Sequence, residues 1–402
     1  MDIKQTTIAY SPSKEQKQDQ NQSIAKKGSD LRLPKDATIY IWRMSFWKRP
    51  IIRRFLEGHR IYFVRTAKKI KPGSCVLLWG SQPVPLGLNP NHLIIRVEDG
   101  FLRSVGLGAD LTRPISWVID TRGIYYDSTC PSDLEYLLQH CNFAPDLIKR
   151  AVDLHQRLIK QGITKYNIQG KIWQPKAPDG KRIILVPGQV ESDASITYGA
   201  GKIRSNLALV QEVRKQNPDA WIIYKPHPDV VAGLRCKGAN EHHIPLYCDE
   251  YLKDVSIDQA LNYAHEVHVI TSLAGFEGLL RGKRVTCYGM PFYAGWGLTL
   301  DVNSISRRTR ILTIQELVVA SLLLYPTYIS WIKKKRVSAE EALNELILHQ
   351  EKKGGGKVRV FCKVFFRKIL QLSQFVELYF NKNTSLVSCI MSRLIDKNHS
   401  HK

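Results

Sequence analysis

No stretch of this chain approaches the roughly 18 consecutive apolar residues of a membrane span, so a multi-span membrane protein is excluded. The N-terminus is polar and lacks both an apolar run and a cleavage site, so no secretory leader is expected. There is no GxGxxG and no GxxxxGK[ST], which leaves dinucleotide and P-loop readings without support. The eight cysteines form no CxxC, which excludes zinc-ribbon and thioredoxin-type motifs, and they read as free thiols, several of them buried. No His/Cys/Asp constellation has metal-ligand spacing, so neither a metal nor another cofactor is expected. Acid is also scarce: 36 Asp and Glu stand against 59 Lys and Arg, a net charge of +23. Ordinary hydrophobic (44%) and charged (24%) fractions exclude a wholly disordered or collagen-like chain. A length of 402 residues suits two domains plus tails.

The positive charge is concentrated. Arg43 to Lys71 holds ten Lys/Arg and one acid, Glu57, and Lys333 to Lys402 holds fifteen Lys/Arg and six acids, each a local +9. Such segments attract polyanions: nucleic acid, anionic lipid, or a phosphorylated or carboxylated substrate.

Residues 1–36 are polar and read as a disordered tail. Apolar runs at Ile39–Trp42, Cys75–Gly80, Leu93–Val97 and Ser116–Asp120 read as strands, and Pro50 to Leu56 as a basic helix start. Ser132 to Glu135 has the capping-box pattern that opens a helix. A linker is expected over 165–182. A second series then follows, with strands at Ile183–Val186, Trp221–Tyr224, Val267–Ile270 and Arg284–Tyr288, and helices from Asn206 and from Thr271 to Leu280. This alternation predicts an α/β protein with two Rossmann-like domains facing a cleft, over 37–175 and 176–330, and a basic helical tail over 331–402.

Four polar clusters fall just past expected strand ends: Glu98-Asp99-Gly100, Gln189 to Asp193, His227-Pro228, and Thr271-Ser272. Any one of them is ordinary turn chemistry. Four in succession mark the strand ends where doubly wound folds bind ligands. His227, fixed between Pro226 and Pro228 and preceded by Lys225, suits a phosphate contact or proton donation; the bland alternative is a rigid exposed turn. Thr271-Ser272 before a helix suits an anion pocket, or a simple N-cap. Glu277 on an apolar helix either meets ribose hydroxyls or faces water. Asp193, Glu98 and Asp99 are the carboxylates that glycosyl chemistry needs; as neighbours, Glu98 and Asp99 cannot both face a site, and spacing does not say which does.

The runs RVEDGFLRSVGLGADLTRPISWVIDTRGIYYDSTCPSDLE (96–135), GQVESDASITYG (188–199), YKPHPDVVAGLR (224–235) and TSLAGFEGLLRGKRVTCYGMPFYAGWGLT (271–299) resemble the KpsC-type capsule polysaccharide proteins. Those are retaining β-Kdo transferases that use CMP-Kdo. The resemblance covers about residues 38–330 and is to their C-terminal transferase module; with one such module, one kind of linkage is expected. It implies a GT-B-like fold, a glycan or lipid-linked acceptor, His227 and Pro228 at the CMP phosphate, and Asp193 as covalent nucleophile after Gln189. Arg103, Lys225 and Arg96 would offset the donor's phosphate and carboxylate, and Glu98 or Asp99 would take the acceptor proton. It further implies a cytoplasmic enzyme at the inner face of the bacterial inner membrane.

An apolar stripe from Val358 to Val376, flanked by Lys and Arg, suggests a helix lying on an anionic membrane or docked on the fold. A transferase using another nucleotide-activated sugar is the alternative enzyme. A basic nucleic-acid or lipid-binding module ranks well behind, because the basic segments lie outside the polar clusters and few aromatics alternate with them, so no nucleic-acid partner is expected.

Overall fold

The computed structural model describes residues 33, 36–107, 112–168 and 170–353. The tail expected over 1–36 lies outside those residues except at 33 and 36, and the stripe from Val358 to Val376 lies wholly outside them. The described chain is mixed α/β with two sheets.

Seven strands form the first sheet: β1 (Thr38–Trp42), β2 (Arg60–Val64), β3 (Cys75–Trp79), β4 (Leu93–Asp99), β5 (Ser116–Asp120) and, after the whole second sheet, β12 (Pro326–Ser330) and β13 (Lys335–Val337). Their order is β13-β12-β5-β4-β3-β1-β2. The β2-β1-β3-β4 segment is parallel, and β4-β5-β12-β13 is antiparallel. The second sheet holds β6 (Ile183–Pro187), β7 (Trp221–Lys225), β8 (Glu250–Tyr251), β9 (Glu266–Val269), β10 (Arg284–Cys287) and β11 (Leu300–Asp301), all parallel, in the order β11-β10-β9-β6-β7-β8. Strands β5 and β6 are buried at every residue, and in the all-parallel second sheet this is why β6 reads as an unbroken apolar run rather than as an alternation.

Two sequence expectations are displaced. The break at 330 does not hold, because Pro326–Ser330 pairs with β5 and Lys335–Val337 adds the next strand, so 326–337 belong to the first sheet. Pro326 hides the strand in the sequence, yet it is tolerated as the first strand residue. Ser132 does cap the helix Asp133–His140 by accepting the Glu135 N–H at 3.0 Å. The Glu135 carboxylate, however, does not complete the box. It is buried and paired with Arg307 and Arg308.

Those pairs belong to a joint between the two halves. Arg308 donates to the carbonyls of Pro291 and Ala294 at 2.7 and 2.9 Å. A continuous core packs Phe101, Val118 and Ile124 with Leu185, Val267, Phe276 and Phe292. Breaking it would expose apolar area at roughly 25 cal/mol per Å². The six described cysteines form no disulfide with one another, and Cys75, Cys141 and Cys287 are buried. Among the described residues no helix is long and apolar enough to cross a membrane.

Candidate functional site

In the second sheet the chain winds outward from β6 in both directions, through β7 to β8 and through β9 to β11. The crevice at the carboxyl ends of β6 and β9 is therefore a switch point. Gln189, after β6, and Thr271, after β9, close it by two bonds: Gln189 Nε2 donates to Thr271 Oγ1 at 3.0 Å, and the Thr271 N–H donates to Gln189 Oε1 at 2.9 Å. Gln189 is thus a brace between strand ends. Ser272 caps the helix Leu273–Leu280 by accepting the Ala274 N–H, so the N-cap reading applies to it.

Asp193 is the N-cap of the helix Ala194–Gly199, and its Oδ1 accepts the Ser195 N–H at 3.0 Å. That bond fixes the carboxylate plane on a half-buried residue. His227 caps the short turn Pro228–Val231, with Pro228 as its first residue. Nδ1 of His227 accepts the Asp229 N–H at 3.1 Å, which puts the ring proton on Nε2 while the imidazole is neutral. Burial pushes this histidine down to about 4, with Lys165, Arg235 and Lys225 adding to the shift and Asp193 opposing it. Near neutral pH His227 is therefore a neutral Nε2–H donor. Buried Lys225 is pushed down to about 8 by the same loss of water, with Asp254 opposing.

Across from this set stand Glu98 and Asp99 at the end of β4, and the structure separates their roles. Both Asp99 oxygens are taken: Arg103 Nε donates to Oδ2 at 2.6 Å and Trp117 Nε1 to Oδ1 at 2.9 Å. Burial opposes its charge, but Arg103, Lys165 and Lys48 together hold it below the usual carboxylate range. Glu98 goes the other way. Burial, and then the charge of Asp99, push it up to about 7, against the pull of Lys48 and of the Asp99 N–H that its Oε1 accepts at 2.9 Å. Of the two, Glu98 can exchange a proton near neutrality.

Several residues nominated by sequence make bonds or close contacts within the fold. Arg103 is buried and bonds Asp99, Ser104 and the Thr112 carbonyl. Arg96 donates to the carbonyls of Gly80 and Gln82, pinning the turn after β3. Gly100 has no room for a Cβ against Ser116, so glycine is needed for the close approach of β4 to β5. Glu277 is buried rather than facing water, and its Oε1 accepts the Lys165 N–H at 2.8 Å.

Sequence reasoning missed Lys165 and Lys48. Lys165 sits in the expected linker, yet its N–H is held by Glu277 and its carbonyl accepts from the N–H groups of Arg103 and Ser104. Burial works against its charge, but Tyr166, Tyr125, Asp99 and Glu98 keep it protonated, above the usual lysine value. Its charge also reaches His227. Lys48 lies with Nζ 2.9 Å from the Trp79 ring centroid, and burial pushes it down to about 8 while Glu98 and Asp99 pull it up. So the basic segment 43–71 does not lie wholly outside the polar clusters. Tyr126 feels both Glu98 and Asp193, which makes the two sides one electrostatic unit. Only the charge of Lys48 was visible in sequence, and nothing marked that lysine among its nine basic neighbours.

The chain is similar to known proteins. The family described as "Capsule polysaccharide biosynthesis protein" matches residues 89–168 and 146–333. The capsule polysaccharide modification protein LipA of Neisseria meningitidis serogroup A is 41% identical over 81% of this chain and 47% of its own length. The lipopolysaccharide-processing protein LpsZ of Rhizobium meliloti is 38% identical over 76% of this chain and 73% of its own. The chain thus spans about half the length of the LipA relatives it matches. Two solved structures of Thermosulfurimonas dismutans KpsC are similar, each over 78% of this chain and 99% of theirs. The one titled beta Kdo 2,7 transferase has 41% identity and a TM-score of 0.67, and the one titled beta Kdo 2,4 transferase has 30% identity and a TM-score of 0.70. With the family match covering more than half of its length, the chain belongs to the capsule polysaccharide biosynthesis protein family.

Proposed function

We propose that the chain is a glycosyltransferase that moves a β-Kdo unit from CMP-Kdo to a glycan or glycolipid acceptor with retention, in a GT-B-like cleft between its two sheets. The observation that carries this reading is one electrostatic unit in which Asp193 and neutral His227 lie on one side and Glu98, poised at about 7, on the other. The titles of the similar KpsC structures, both Kdo transferases, agree with it.

The chemistry follows from these groups. An Asp193 oxygen attacks the anomeric carbon, and the bond to the CMP phosphate oxygen breaks with its electron pair leaving on CMP. His227 Nε2–H donates a hydrogen bond to that phosphate as charge grows on it. Lys225 and Lys165 supply positive charge for the phosphate and the sugar carboxylate. In the second step an acceptor hydroxyl attacks the same carbon, Glu98 takes its proton, and Asp193 is released as carboxylate. Two inversions give retention.

The test is incubation of the full chain with CMP-Kdo and a short Kdo-terminated acceptor, with the product read by mass and NMR. A β-linked Kdo adduct is expected. Turnover of a different nucleotide sugar in a donor panel, with none of CMP-Kdo, would overturn the donor assignment and leave a transferase of other specificity.

A further inference from the structure

Beside the site lies a face that glycosyl transfer does not use. Strand β2 is the edge of the first sheet, and the helix Arg49–Phe55 packs near it. Phe46, before that helix, is 68% exposed. Guanidinium groups stack on the rings here: Arg49 lies 4.2 Å from the Phe46 centroid and 4.8 Å from that of Phe63, Arg53 is 4.9 Å from Phe63, and Arg65 is 5.8 Å from Phe46. These contacts join the turn, the helix and the edge strand into one continuous surface. Among the described residues, no carboxylate pairs with Arg49, Arg53 or Arg65; the acid of this segment, Glu57, is 3.8 Å from Arg54. The segment keeps a local charge of +9.

We propose that this face, centred on Phe46 with Arg49, Arg53 and Arg65, docks on an anionic phospholipid bilayer. Charge complementarity selects the partner: guanidinium groups without a carboxylate partner among the described residues, of which Arg49 gives only its Nε to the Met44 carbonyl, fit phosphate headgroups by forked hydrogen bonds. An exposed ring flanked by arginines suits the boundary between headgroups and acyl chains, where an amphipathic residue keeps one part apolar and the other wet. Nucleic acid is less well matched, because the aromatic faces that would stack on bases already carry guanidinium groups. Lys48, the residue before Arg49, is charge-coupled to Glu98 and Asp99. A bilayer seated here would therefore lie against the part of the chain that leads into the site. That consequence for a lipid-linked acceptor rests on the glycosyl-transfer reading; the docking itself does not.

The experiment is sedimentation of the full chain, without any donor, with vesicles of phosphatidylcholine containing about one-third phosphatidylglycerol, against pure phosphatidylcholine vesicles and duplex DNA. Wild type should pellet with the anionic vesicles alone. Arg53→Glu/Arg65→Glu should weaken that binding about tenfold or more, and Phe46→Ala by a few-fold. Both variants should melt like wild type and keep their turnover of a water-soluble acceptor. Equal pelleting of wild type and variants, no pelleting of wild type, or binding to duplex DNA tighter than to vesicles at the same salt would each overturn the proposal. Absence of CMP-Kdo turnover by wild type that still pellets with the anionic vesicles would count against the transferase reading instead.

Discussion

The two sheets bring different materials to the site. On the second-sheet side, groups are held by strand ends and short helix starts: Asp193 and His227 are both N-caps, and Gln189 ties β6 to β9. Cations on that side are weakened by burial, with Lys225 near 8 and His227 neutral. On the first-sheet side the groups are buried charges that balance one another: Asp99 with Arg103, and Glu98 with Lys48 and Lys165. The second side suits an anion that arrives with its own charge, because neutral donors and a depressed lysine lose little when it binds and gain when charge develops. The first side suits proton transfer, because a balanced cluster can hold one carboxyl near neutrality. The contrast can be broken one residue at a time.

The largest effect should come from Asp193→Asn. If Asp193 is the nucleophile, transfer falls at least about a thousandfold while CMP binding and melting stay near wild type. Calorimetric titration with CMP, beside a turnover assay, separates the two. Near-normal turnover of folded protein would remove Asp193 from the mechanism.

Next come the neighbours Glu98 and Asp99, which should fail differently. If ionised Glu98, present above about 7, is the base, Glu98→Gln should lower transfer by about 10²–10⁴ and abolish the acidic limb of the pH profile. Asp99→Asn should act on stability. It strands buried Arg103, a loss of about 3–5 kcal/mol readable as a lower urea midpoint. The sign follows from its lowered pKa: Asp99 stabilises above the unfolded carboxylate pKa, and this is lost as pH falls toward its folded value. The Asn variant should therefore be less acid-sensitive than wild type. If both substitutions hit activity alone, the division between them is wrong.

His227 should give a smaller loss. If His227 donates to the leaving phosphate, His227→Ala removes one hydrogen bond and slows transfer about ten- to a hundredfold. A neutral donor can be imitated, so His227→Gln should recover part of the rate; a charged imidazolium could not be replaced that way. Equal rates for Ala and Gln would contradict the neutral-donor assignment.

The same contrast explains what the sequence could reveal. The second-sheet side was legible because its groups follow strands directly: an apolar run, then Gln189, His227 or Thr271. Local chemistry carried that information, and the fully parallel sheet preserved it. The first-sheet side depended on long-range placement. Lys165 lies in a stretch without regular structure and is positioned by Glu277, 112 residues away in sequence. Arg103 and Glu277 were nominated for ligand contact from their residue types alone, and no local pattern showed that Arg103 bonds Asp99 or that Glu277 holds Lys165. Strand β12 was missed for the same reason: its partner β5 lies some two hundred residues earlier, and no local period encodes an antiparallel return across a whole sheet; β13 exists only as the next strand on β12.

The smallest effect, and the sharpest test of the balanced cluster, is Lys48→Met. The Lys48 charge pulls Glu98 down, so its removal should raise Glu98 further above its ordinary value. The acidic limb of kcat/KM, which reports the free enzyme, should move to higher pH. Below neutrality the variant should be slower than wild type, since less of its Glu98 is ionised. Lys48 itself lies near 8, so in wild type its charge fades as pH rises beyond that value. The two profiles should therefore converge at alkaline pH, where neither protein has a cation over Trp79 and Glu98 is ionised in both. A uniform drop at every pH would instead mean that Lys48 binds substrate directly, and a profile that did not move would uncouple Lys48 from Glu98.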